Sequence, residues 1–172
     1  STRWMFRTHG VTRLRNDIAD ALGGLGEHFL GLDFLVSAAG KVYYRAWVNQ
    51  NTSQIWVLDA NTGQKTFVDW AHNPPFLKLD SQGRPWYVSQ YGRIMRDRVP
   101  MFNLTYFGAF KLDHAGHVYT QRNDEVLRDG APTGYKTRDH WNISPDGDVF
   151  TIIDPTWGKI ASCDAQGHLH NI

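Results

Sequence analysis

Cysteine is nearly missing from these 172 residues. The lone Cys163 excludes an internal disulfide framework and any multi-cysteine zinc site. An excess of one charge is missing too. Lys plus Arg number 18 against 17 Asp plus Glu, a formal net charge of +1. Nothing in the overall charge therefore points to nucleic acid or an anionic membrane as partner. No apolar run approaches the roughly 18 residues of a membrane span. The opening "STRWMFRTHG" lacks the continuous apolar stretch of a secretory leader. There is no Gly-x-x-x-x-Gly-Lys-Ser/Thr loop, no dinucleotide fingerprint and no Gly-x-Ser-x-Gly elbow. The sequence is thus read as that of a non-enzymatic protein with no cofactor.

What is abundant is aromatic, 13% of the chain, together with 16 glycines. The glycines reveal a repeat. "FLVSAAGKVYY" (34–44), "LKLDSQGRPWY" (77–87), "FKLDHAGHVYT" (110–120) and "NISPDGDVFTI" (142–152) each join two alternating apolar runs by a polar turn ending in Gly. That is a hairpin pattern, with glycine supplying the positive φ of the turn. Gly40, Gly83, Gly116 and Gly147 stand 43, 33 and 31 residues apart, a spacing of solenoids, propellers and arrays.

Third strands are expected at 55–63, 93–98, 125–130 and 159–167. Fourth strands are expected at 65–70, 103–107, 134–137 and 168–172. Four units of four strands make an all-β, β-propeller-like domain of about four blades, five being the other count. The same strand spacing also suits a β-sandwich. The whole chain, 1–172, reads as a single domain, with four units over 28–172. Before them, "WMFRTHGVTRLR" (4–15) reads as an extra hairpin, and Asn16 to Gly23 as one short helix. The extra hairpin, with Arg3, Arg7, Arg13 and Arg15, suits pairing with a second copy or an assembly partner.

"FLKLDSQGRPWYV" and "FKLDHAGHVYTQRNDEVLRDGAPT" resemble the blades of tachylectin-type propeller lectins. The resemblance covers about residues 28 to 172, with Gly83, Tyr87, Gly116, Tyr119, Pro132 and Gly147 as its clearest matches. It implies a propeller and a carbohydrate or glycoprotein partner.

Candidate chemistry is sparse. Asp80, Asp113 and Asp146 occupy near-equivalent hairpin turns, where Asp bonds its own backbone, so they read as turn residues rather than glycosidase carboxylates. His114, His117, His168 and His170 lack a third partner at metal-ligand spacing and read as surface histidines. Cys163 reads as a small apolar residue. Binding is better supported. "WAHNPP" (70–75) and "RDHW" (138–141) fall where one unit returns to the next, and such loops carry ligands on rigid sheets. Trp70, His72, Asn73, Tyr106, Arg138, His140 and Trp141 are the expected contacts, since aromatic, imidazole and amide groups suit a sugar ring. They do not recur from unit to unit, which favours one site or none over a multivalent lectin.

Carbohydrate recognition leads. A structural or interaction subunit of a larger assembly, such as a virion, comes second, and a glycoside hydrolase third. Acceptor patterns for N-glycosylation at Asn51, Asn103 and Asn142 lean toward an extracellular or virion-associated setting, though the compartment stays open.

Overall fold

The computed structural model describes residues 34–103, 109–137, 140–154, 159–163 and 169–171. The N-terminal hairpin and helix expected from the sequence lie outside these residues. All regular structure among the described residues is β-strand, in sixteen strands forming four antiparallel four-stranded sheets. Sheet 1 holds β1 (Phe34–Val36), β2 (Lys41–Trp47), β3 (Thr52–Asp59) and β4 (Lys65–His72). Sheet 2 holds β5 (Lys78–Leu79), β6 (Pro85–Val88), β7 (Arg93–Arg96) and β8 (Val99–Asn103). Sheet 3 holds β9 (Lys111–Leu112), β10 (Val118–Arg122), β11 (Glu125–Arg128) and β12 (Ala131–Lys136). Sheet 4 holds β13 (Trp141–Ile143), β14 (Val149–Asp154), β15 (Lys159–Cys163) and β16 (Leu169–Asn171). Each sheet is a plain meander whose strands pair in chain order.

Two strand positions differ from the sequence reading. β8 runs Val99–Asn103 rather than 103–107, because Asp97 and Arg98 both take positive φ (46° and 69°) and reverse the chain in a two-residue turn. Pro100 sits within that strand, which is tolerable because β8 is the edge of its sheet. β12 begins at Ala131 rather than 134, directly after the Asp129-Gly130 turn. In sheets 1, 2 and 3 the pairing of the third with the fourth strand carries a register shift. Bulges there add twist and spoil the edge for pairing with another chain.

The chain divides into two compact units that part between Asn103 and Leu104. In the first unit Ile55, Val68 and Ala71 of sheet 1 pack with Tyr87 and Met95 of sheet 2. Ile55, Ala71 and Tyr87 are fully buried, and burial on this scale stabilises by about 1.5–3 kcal/mol for each large side chain. A second cluster, Val42, Tyr44, Leu58 and Ala60, includes residues on the other face of sheet 1. Phe34, Tyr44, Trp56 and Phe67 are cross-strand partners in turn, so one aromatic row crosses all four strands. In the second unit Tyr119 and Val126 of sheet 3 pack with Val149 of sheet 4, flanked by Tyr135, Trp141 and Ile143.

Candidate functional site

The turn between first and second strands is built the same way four times. In each, the leading residue's side-chain oxygen accepts a hydrogen bond from the N–H four residues on. Ser37 Oγ accepts from Lys41 N (3.1 Å), Asp80 Oδ1 from Arg84 N (2.9 Å), Asp113 Oδ1 from His117 N (2.9 Å) and Ser144 Oγ from Asp148 N (3.0 Å). The glycine three residues on returns its N–H to the leading carbonyl in every copy. Asp80 and Asp113 are therefore turn residues, as expected. Asp146 is not their equivalent: Ser144 holds that place, and Asp146 sits exposed two positions later.

Six residues after the leading residue each copy carries an aromatic: Tyr43, Trp86, Tyr119 and Phe150. Where the leading residue is Asp, its second oxygen takes the aromatic's donor. Trp86 Nε1 donates to Asp80 Oδ2 at 3.0 Å, and Tyr119 Oη donates to Asp113 Oδ2 at 3.1 Å. Burial pushes the Asp80 carboxyl up, but the Trp86 indole, the Arg84 backbone N–H and the Arg84 guanidinium together hold it below the usual carboxylate range. In sheet 1 the leading residue is Ser37, which has no second oxygen. The Tyr43 hydroxyl consequently has no hydrogen-bond partner among the described residues.

A second departure lies in sheet 2. Asp97 and Asp129 occupy like positions in the turn between third and fourth strands, donating their N–H to Pro85 O (2.9 Å) and Val118 O (2.8 Å). Asp129 uses both carboxylate oxygens, one on Val118 N (2.9 Å) and one on His117 Nδ1 (2.7 Å). Pro85 has no N–H to offer, and Arg84 is turned to Asp80 Oδ2 at 2.8 Å. Among the described residues the Asp97 carboxylate thus has no hydrogen bond or ion pair. The turn itself is pinned, because Arg98 Nη2 donates to Phe67 O of sheet 1 at 2.9 Å.

A third departure joins these two. In the second unit the turns of sheets 3 and 4 are tied by His114 N donating to Pro145 O at 2.8 Å. Among the described residues no such bond links the corresponding Ala38 and Ser81 of sheets 1 and 2. A cleft of about 500 Å³ opens there, and Ser37, Lys41, Tyr43, Arg84 and Asp97 line it beside apolar Val36 and Leu79. Burial, and then the Asp97 carboxylate, push the Tyr43 hydroxyl's pKa up, so it stays protonated and able to donate. Its ring packs on the core between sheets 1 and 2, which fixes the hydroxyl's position.

The residues singled out from sequence are distributed otherwise. Trp70 lies on edge strand β4, 40% exposed, its ring edge-on to Phe67 at 6.1 Å. Asn73 is engaged internally: its Oδ1 accepts from Arg45 (2.9 Å) and its Nδ2 donates to Asn49 O (3.0 Å), bracing the β2–β3 turn. His72 Nδ1 lies 3.2 Å from Pro74 O. In the second unit His140 is exposed, while Trp141 packs against the core with the Lys111 ammonium 4.9 Å from its ring centre. Tyr106, Arg138 and His168 lie outside the described residues. His114 and His170 are exposed, and Asn51, Asn103 and Asn142 are all exposed as glycan acceptors require. Tyr43 and Asp97 were missed because each matters only as a departure from the repeat. Aligning the copies turn by turn exposes both, as Ser37 in place of Asp and Pro85 in place of Val118. No helix among the described residues is long and apolar enough to cross a membrane. The chain matches no family model, no curated protein and no solved structure.

Proposed function

We propose that the four sheets are the blades of a β-propeller and that the chain is a non-enzymatic carbohydrate-binding module. Its site is the cleft between the turns of sheets 1 and 2. Four consecutive meanders with a shared turn support the propeller reading. One observation carries the binding reading: the Tyr43 hydroxyl and the Asp97 carboxylate, neither with a hydrogen-bond partner among the described residues, line one cleft. A phenol, a carboxylate and the polar side chains of Ser37, Ser81 and Gln82 beside Val36 and Leu79 suit a ligand that offers hydroxyls and an apolar ring face.

A glycan array probed with the wild-type protein, Tyr43→Phe and Trp70→Ala tests this. Tyr43→Phe should weaken binding about three- to tenfold, the value of one hydrogen bond. Trp70→Ala should leave binding within twofold. Loss confined to Trp70→Ala would move the site to edge strand β4, and no signal on any glycan would overturn the carbohydrate reading.

A second reading, docking within a larger assembly, is favoured by Trp47 and Val48. They are 53% and 38% exposed at the end of the long β2–β3 hairpin, where an apolar pair beside braced backbone suits a protein surface.

A further inference from the structure

We infer that the ligand of this cleft carries a cationic nitrogen next to hydroxyl groups, as an amino sugar does. This rests on the carbohydrate reading above and narrows it.

The charges lining the cleft are not free to the same degree. Lys41 Nζ is held by Asp59 Oδ2 at 2.6 Å, and Arg84 Nε by Asp80 Oδ2 at 2.8 Å. Each cation is thereby matched within its own sheet. Asp97 is the charge left without a partner among the described residues, so an unmatched carboxylate is what the cleft presents to whatever enters it. An anionic sugar would have to displace Asp59 or Asp80 from its cation while facing Asp97. A neutral sugar would satisfy Asp97 only through hydroxyl donors. An ammonium group supplies both charge and donors, and charge-assisted hydrogen bonds are the stronger kind.

Position supports the same choice. Asp97 is held in a two-residue turn fixed from both sides, by its own N–H on Pro85 O and by Arg98 on Phe67 O. The carboxylate therefore loses little backbone freedom on binding. The Tyr43 hydroxyl, under the influence of Asp97, stands ready for a neighbouring hydroxyl of the same ring. Ser37 in place of Asp is what leaves it so.

The test is an NMR titration with glucosamine, N-acetylglucosamine and glucose against the wild-type chain and Asp97→Asn. Asn tolerates the positive φ of residue 97, so the variant should keep its turn. Glucosamine should bind at least about tenfold more tightly than the other two, with shifts centred on residues 37–43 and 81–97, and added salt should weaken it. In Asp97→Asn the three sugars should bind alike. Equal binding of glucosamine and glucose by the wild-type chain would overturn the charge inference while keeping the carbohydrate reading. Glucosamine binding unchanged in Asp97→Asn would do the same. No shifts with any of the three would count against both.

Discussion

Single residues decide how far each turn can drift. A Cβ on Gly147 would stand 2.5 Å from Tyr119 Oη and 3.2 Å from Asp113 Oδ2, at φ +93°. Gly116, at φ +89°, has nothing within 4 Å of the same point. Gly116→Ala should therefore cost about 1 kcal/mol through backbone strain alone, and Gly147→Ala about 2–3 kcal/mol, by denaturant melts. Asp80 makes a pH prediction. Its folded pKa is depressed, so its contribution is fully present above the unfolded carboxyl value of about 4 and fades as pH falls through the lower folded value. Wild-type midpoints should drop steeply on the acid side, and Asp80→Asn should flatten that slope while lowering stability at neutral pH. Flat profiles for both proteins would count against it. The Tyr44 hydroxyl, pushed up to about 12 by burial, should titrate well above an exposed tyrosine in an ultraviolet pH scan.

At the scale of elements, sheet 1 stands apart, with second to fourth strands of seven, eight and eight residues where those of sheets 2 and 3 have four to six. Asn73 braces its β2–β3 turn through Arg45 and the Asn49 carbonyl. Asn73→Ala should cost about 1 kcal/mol and speed amide exchange at Asn49 to Thr52, seen by hydrogen-exchange NMR. Most strands were legible in the sequence, because alternating apolar residues and a positive-φ glycine are local signals. β8 was misplaced because Asp97-Arg98 reverses the chain without glycine and Pro100 looks like a breaker. Pro100 is accommodated by the edge position of the strand, which pairing decides. The cleft was not legible from any one stretch. It depends on which partner each turn carboxylate finds, and Asn73 shows the converse, a residue of suitable type held for a structural purpose.

For the whole molecule, the propeller proposal makes a measurable claim. One compact body of 172 residues should have a radius of gyration of about 16 Å by small-angle scattering, and light scattering should give the monomer mass of 19.7 kDa. A larger radius at monomer mass would mean that the two units do not close into one ring. A stable dimer would favour the assembly reading and direct attention to Trp47 and Val48.

The fourfold turn has a consequence for heredity. A motif copied several times can lose one copy's detail without losing the fold, because Ser caps the turn's fourth N–H about as well as Asp does. The first copy carries Ser37 where two others carry Asp, and the hydroxyl that a carboxylate engages in sheet 3 has no such partner there among the described residues. Exchanging the residue is then a direct experiment. Ser37→Asp would give Tyr43 the carboxylate that Trp86 and Tyr119 already have, and should firm up sheet 1 while silencing the cleft.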